Sequence, residues 1–344
     1  MRFSFTDEQL EFRAAARALF EAECQPSAVR AAADGGDGRN AALWRQLGDM
    51  GVLGLLAPDG YGGLGLTDVD LVGVLVESGR CALPDPLVET ASVVVPLLAT
   101  VGESTLLPGL IDGALTATVA GVYGSSRVTH ADAAVVVALG HDAVRVFTDP
   151  DRFASRLPSI DRARRVFRFP DGVTTAATVL AEGDEAVAIS TVASDRAAVG
   201  AAAQLVGLAG ALLDMTVAYL KVREQFGVPI GSFQGLKHQM ATALMELEFA
   251  TPAVYRAAYT IAESAGAPTE AAAARDRSLH SSMAKAMASD AARLVARTCL
   301  QAHGAIGYTV EHDLHLWFKR VHALAAQWGD ARWHRARVGA LLQL

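Results

Sequence analysis

The spacing of apolar residues changes twice along this chain, and that change limits the fold more than any single motif. From Leu10 to about residue 112 the apolar positions recur at helical spacing; from about Leu115 they alternate or run together in β-branched stretches; after about residue 190 the helical period returns and holds to the end. No repeat of fixed length accompanies the change, so a solenoid is excluded. The order helical, β, helical requires a small β module between two helical units. We therefore expect a mostly α protein: an N-terminal helical domain over 1–112, a shortened middle β domain over 113–190 and a C-terminal four-helix bundle over 191–344.

Local signals agree with this division. The segment "TDEQLEFRAAARALFEAE" opens with Thr6 and Gln9 at capping-box spacing. A second helix is expected through "AALWRQLGDMG", closed by Gly51. In the middle zone, Gly140-His141-Asp142 sits between "ADAAVVVAL" and "AVRVFTDP" as a hairpin turn, and "RRVFRFPDG" reads as a further strand. The later helices are Ala-rich, which favours close packing in a bundle. The run "EAAAARDRS" is made of helix formers and reads as helix.

Composition narrows the function. A net charge of −7 with scattered Lys and Arg leaves no basic stripe, which argues against nucleic acid or an anionic membrane as partner. Cys24, Cys81 and Cys299 are odd in number and far apart, as expected of a reducing compartment, so a soluble cytoplasmic protein is anticipated. "GYGGLG" lacks the strand before it that a dinucleotide fingerprint needs and reads as a turn. His312 and His315, with Glu311 and Asp313 beside them, lack the i, i+4 histidine pair of a zinc helix; no metal is expected there.

Three separated segments carry a resemblance. "LWRQLGDMGVLGLLAPDGYGGLGL" in the first zone, "YLKVREQFGVPIGSFQGLKHQMA" at 219–241 and "QAHGAIGYTVEHDLHLWFKR" at 301–320 stand in the order and spacing of the acyl-CoA dehydrogenase family, which the chain resembles across both helical zones. The resemblance implies FAD, an acyl-CoA substrate and α,β-desaturation of the thioester, with a carboxylate taking the α proton. It also implies that Arg223, Gln225, Phe226 and Phe233, with Gln301, Gly304 and Ala305, reach a neighbouring subunit's FAD. Chemically the set is suitable: Arg223 offers a charged fork for a pyrophosphate, Gln225 a neutral hydrogen bond, and the phenylalanines apolar faces for an adenine.

The chain also departs from that family. Its middle zone has no counterpart of the Thr-Glu-Pro and Lys-x-Trp segments that line the flavin, and "VYGSSRVTH" stands there instead, with Ser125-Ser126-Arg127 read as a hairpin turn. Trp328 occupies the place of the catalytic Glu, and indole has no basic lone pair. The alternative base position aligns with Ala197; Asp195 reaches it only with a two-residue shift, and reads equally as a helix N-cap. His315 is a further alternative. The resemblance is therefore to the short, degenerate subunit of actinobacterial steroid side-chain dehydrogenases. It implies an α2β2 heterotetramer with a longer partner; a self-sufficient FAD homotetramer and a flavin-free assembly protein are the competing expectations.

Overall fold

The computed structural model describes residues 4–34, 39–148, 155–170, 177–265 and 270–343. The first unit contains α1 (Asp7–Glu23), α2 (Pro26–Ala33), α3 (Ala41–Asp49) and α4 (Asp68–Arg80). A wide π-helical turn, Val88–Val94, then runs into α5 (Val95–Thr100), and α6 (Leu107–Ile111) follows. The expected capping box closes the start of α1: Gln9 N–H donates to Thr6 Oγ1 at 3.3 Å, and Thr6 N–H donates to Gln9 Oε1 at 2.9 Å.

The middle unit is two small sheets. One has the order β1-β3-β4-β7, from Ala117–Ala120, Val135–Leu139, Ala143–Phe147 and Thr178–Glu182; only β1 and β3 are parallel. The other has the order β2-β6-β5, from Arg127–Thr129, Val166–Arg168 and Ser155–Leu157, all antiparallel. Residues 140–142 join β3 to β4 as the expected hairpin. Asp171 and Gly172, at the end of the run "RRVFRFPDG", lie outside the described residues. A compact apolar cluster that includes Val128, Val136, Phe147 and Phe167 holds the two sheets together.

The last unit contains α7 (Gly183–Val222), a short hairpin of β8 (Glu224–Gln225) and β9 (Val228–Pro229), α8 (Gln234–Ala265), α9 (Ala271–His303), α10 (Leu314–Ala326) and α11 (Ala331–Leu342). The boundary expected at 190 falls inside α7, which begins at Gly183. Helix α7 is long and apolar enough to span a bilayer by length and composition. In the fold it packs against α4, α8, α9 and α10, with Leu205, Leu208 and Leu212 fully buried. Gly207 lets it touch α4 backbone to backbone, since a Cβ there would collide with the Val76 carbonyl oxygen.

Candidate functional site

The residues expected to clamp a dinucleotide collect at one end of the bundle. Arg223 N–H closes α7 on the Tyr219 carbonyl at 2.9 Å, and the chain then turns through β8 and β9. Gln225 pairs with Val228 across a two-residue turn in which Phe226 and Gly227 both have positive φ, +55° and +80°. That is the twist a tight hairpin demands. Glycine adopts it freely, whereas the left-handed conformation costs Phe226 about 1–2 kcal/mol. The strained ring is also 90% exposed, so burial within this chain recovers none of that cost. Phe233, half-exposed, meets it edge-on with centroids 6.2 Å apart.

The second half of the expected set lies alongside. Tyr219 stacks on His303 at 4.5 Å, which sets the last turns of α7 and α9 side by side. Gln301 and Ala305 are exposed there, and between them Gly304 has φ +62° and ψ −142°, a region open essentially to glycine. A Cβ on Gly304 would meet no atom within 4 Å, so its backbone is free for close approach by a ligand. An exposed guanidinium, two amides, two apolar rings and an open glycine together fit the pyrophosphate and adenine end of FAD.

A separate cleft of about 800 Å³ opens where the β module meets α10. Residues 124–129 and 157–160 form one wall, and the end of α10 with Trp328 and Gly329 forms the other. Ser125, Ser126 and Arg127, expected to make a hairpin turn, instead lead from a 3-10 turn into β2 and line this cleft, because β2 pairs with β6 and has no tight-turn partner. Trp328, at φ +54° and 5% exposed, stands at the base position anticipated from the sequence and contributes no proton acceptor. Among the described lining residues no Asp or Glu occurs. The basic lone pair in the cleft is that of His322, whose pKa burial and the nearby Arg293 and Arg297 hold below the usual value.

Behind the cleft lie polar groups that sequence reasoning did not anticipate. Glu89, carried inward by the π-helical turn, accepts from Thr129 Oγ1 at 2.6 Å and from Arg164 Nη2 at 2.9 Å. Arg164 donates its other terminal nitrogen to Gln327, tying the β module to the end of α10. Lys285, fully buried in α9, supports the Trp328–Gly329 bend by donating to the carbonyls of Gly329 (2.9 Å) and Ala325 (3.3 Å) and to Ser289 Oγ (3.3 Å). Burial, then the charge of Arg293, pushes its ammonium down to about 7. His334 Nε2 lies 3.0 Å from the Trp328 carbonyl oxygen; burial, then Lys285, pushes this imidazole down to about 3. The available signal for Glu89 and Lys285 was a single charge in an otherwise uncharged stretch of helix, 87–100 and 278–289.

Asp195 is neither an N-cap nor a cleft residue. It lies in the interior of α7, twelve residues past Gly183, and is completely buried. Its Oδ1 accepts from Arg337 at 2.8 Å and the Tyr123 hydroxyl at 3.1 Å; its Oδ2 accepts from Arg277 at 3.2 Å and Ser278 at 2.8 Å. With both oxygens engaged, the carboxylate joins α7, α9, α11 and the β module. Ala197, the gap-free alternative, is a core residue. His315 sits away from the cleft, beside Arg30 and Lys319, and His312 lies against the His303 and Tyr219 rings.

A two-sheet module between helical units, with a cleft at the junction of module and bundle, is the architecture of acyl-thioester oxidoreductases. Residues 6–114 match the acyl-CoA dehydrogenase N-terminal domain and residues 186–342 the C-terminal domain. The chain is 35% identical over 338 residues to the acyl-CoA dehydrogenase IpdE2 of Mycolicibacterium smegmatis, covering 97% of this chain and 99% of that protein. Among solved structures, a chain of the ChsE4-ChsE5 complex from Mycobacterium tuberculosis superposes with a TM-score of 0.84 at 21% identity, covering 100% of this chain and 99% of that one. The Tcur3481-Tcur3483 steroid ACAD G363A variant gives 0.82 at 25% identity, with 98% of both chains covered. This chain belongs to the acyl-CoA dehydrogenase family, oxidoreductases that in general depend on FAD.

Proposed function

We propose that this chain is the non-catalytic subunit of a cytoplasmic, FAD-dependent acyl-CoA dehydrogenase that introduces an α,β double bond into an acyl-CoA thioester. It pairs with a longer homologous subunit in an α2β2 assembly. The observation that carries this reading is the split between two sites. The residues expected to clamp FAD are exposed at one end of the bundle, while the cleft has Trp328 where the sequence anticipates the base and no carboxylate among its described lining residues.

Bound FAD supplies the hydride acceptor. Arg223 would neutralise the pyrophosphate, Gln225 and Gln301 would offer hydrogen bonds to the ribose and adenine end, Phe226 and Phe233 would cover the adenine, and Gly304 with Ala305 would permit close backbone approach. The strained, exposed Phe226 gains through that contact the burial it lacks in the single chain. Trp328 fills volume at the end of α10 with apolar surface whose burial is favourable. The named assemblies among the similar structures support a heteromeric enzyme, and the steroid ACAD among them supports a bulky, ring-bearing acyl group as substrate.

Expressing the chain with and without its partner tests the reading. The complex should be yellow and oxidise acyl-CoA, and the isolated chain should do neither; FAD absorbance with turnover in the isolated chain would sink the proposal. Within the complex, Arg223→Ala should lower FAD content at least about tenfold, on the scale of a lost charge-assisted contact. Unchanged FAD content would instead favour a flavin-free assembly role.

A further inference from the structure

The three units of the fold also meet in a second place, away from the clamp. A pocket of about 320 Å³ is lined by Arg30 and Asp34 of α2, Asp161 and Arg162 of the β module, and His315 and Lys319 of α10. That volume lies at the small end of ligand sites, roughly 300–1,000 Å³. Two of its charges are already matched: Arg30 Nη2 lies 2.6 Å from Asp313 Oδ1, and Asp161 is taken by the buried Arg320. Arg162, exposed, and Lys319, half-buried, form no ion pair among the described residues. Asp34, itself exposed, pairs with neither.

His315 shows which ligand chemistry suits the pocket. Its Nε2 lies 3.5 Å from Arg30 Nη1, and its Nδ1 lies 3.4 Å from Lys319 Nζ. Arginine and lysine nitrogens only donate, whereas a neutral imidazole has one lone pair and one N–H. Whichever tautomer holds, one ring N–H faces a cationic donor. An imidazolium is worse placed, because both its N–H groups do. Burial, then Lys319 and Arg30, accordingly holds this imidazole below its usual value, with Asp313 opposing them. An oxygen acceptor beside the ring converts the conflict into hydrogen bonds. A carboxylate offers two oxygens in one plane; a phosphate group offers acceptors in several directions and up to two charges. Guanidinium forks and lysine ammonium groups both bind phosphate.

We propose that this pocket is a phosphate site, in which Arg162 and Lys319 neutralise the anion and His315 donates to it. Inorganic phosphate and a small phosphate monoester are two sources of that group. The bound anion would tie α2, the β module and α10 together. The proposal stands whether or not the clamp serves a partner's FAD.

Isothermal titration calorimetry in phosphate-free buffer tests this on the protein as purified, with its partner if it co-purifies. The probes are inorganic phosphate, glycerol phosphate and sulfate. One site per copy of this chain is expected, weakened by salt, with a melting temperature that rises with ligand concentration. The tighter of inorganic phosphate and glycerol phosphate identifies the source. Arg162→Gln/Lys319→Gln should weaken binding about tenfold or more, the scale of lost charge-assisted contacts. Arg223→Ala should leave it unchanged, which separates this pocket from the clamp. Sulfate keeps its charge near neutrality, so it reports on His315: because the anion favours the imidazolium, sulfate should bind more tightly as pH falls from roughly 8 to 6, and His315→Gln should remove that dependence. Absence of a saturable site for all three probes, or unchanged affinity in the double variant, overturns the proposal. Circular dichroism checks the fold of each variant. Arg162→Gln alone, at an exposed side chain, carries the same test if the double variant does not fold.

Discussion

Replacing Asp195 by Asn removes the carboxylate shared by Arg277 and Arg337 while keeping its size. Asp195 is fully buried, Arg277 is 3% exposed and Arg337 18% exposed, so at least one guanidinium is left without a counter-charge away from water. Breaking a buried pair from one side costs about 3–5 kcal/mol. Unfolding entropy of about 2.1 cal/mol/K per residue amounts to about 0.7 kcal/mol/K for a chain of this length. The melting temperature should therefore fall by roughly 4–7 °C. Scanning calorimetry of the purified complex measures the fall, and an acyl-CoA oxidation assay well below the transition measures turnover. Turnover and FAD content should stay within about twofold of the parent, since Asp195 touches neither the cleft nor the clamp. A general base behaves otherwise: its removal costs about 10²–10⁴-fold in rate. A loss of that size with an unchanged melting temperature would refute the structural role of Asp195 and restore the self-sufficient enzyme.

Two further outcomes follow from the strained and buried groups. Lys285 titrates near 7 in the folded chain against 10.5 for the free side chain; between those values the unfolded state holds the extra proton, so stability rises with pH across that window, and below it the cost of burying the charge is fully present. Lys285→Met should flatten the rise between pH 7 and 10 in denaturant titrations, and equal slopes in both proteins would exclude this lysine as its source. Phe226→Gly relieves the left-handed strain and should stabilise the chain by about 1 kcal/mol, while lowering FAD retention in the complex; unchanged retention would show that the exposed ring has no ligand to cover.

The three zones were legible because hydrophobic period is a local property, and the capping box and the 140–142 hairpin were legible for the same reason. The start of α7 was not. Val187 and Ile189 alternate and are β-branched, which imitates a strand, and packing against the β module decides for helix. That Arg223, Gln225 and Phe226 lie together could be anticipated because they are contiguous around the β8-β9 turn. The surroundings of Asp195 could not, since Tyr123, Arg277 and Arg337 come from three distant elements and meet only in the folded chain. The meeting of Arg162 with His315 and Lys319 likewise depends on how the β module packs on α10, which no local pattern sets.

The wide turn Val88–Val94 has a consequence for how this chain tolerates change. A π-helical turn behaves as an α-helix carrying one surplus residue. Glu89 meets Arg164 and Thr129 from within that turn. Deleting one residue of the segment would restore ordinary winding and leave the two flanks in register, so the change of face falls on the residues inside the turn. Glu89, inside the turn, would swing off Arg164 and Thr129 while the following helix kept its face to the core. Substitutions here act on single contacts, whereas a deletion removes the outward loop of backbone that aims Glu89; the constrained quantity of the segment is its length.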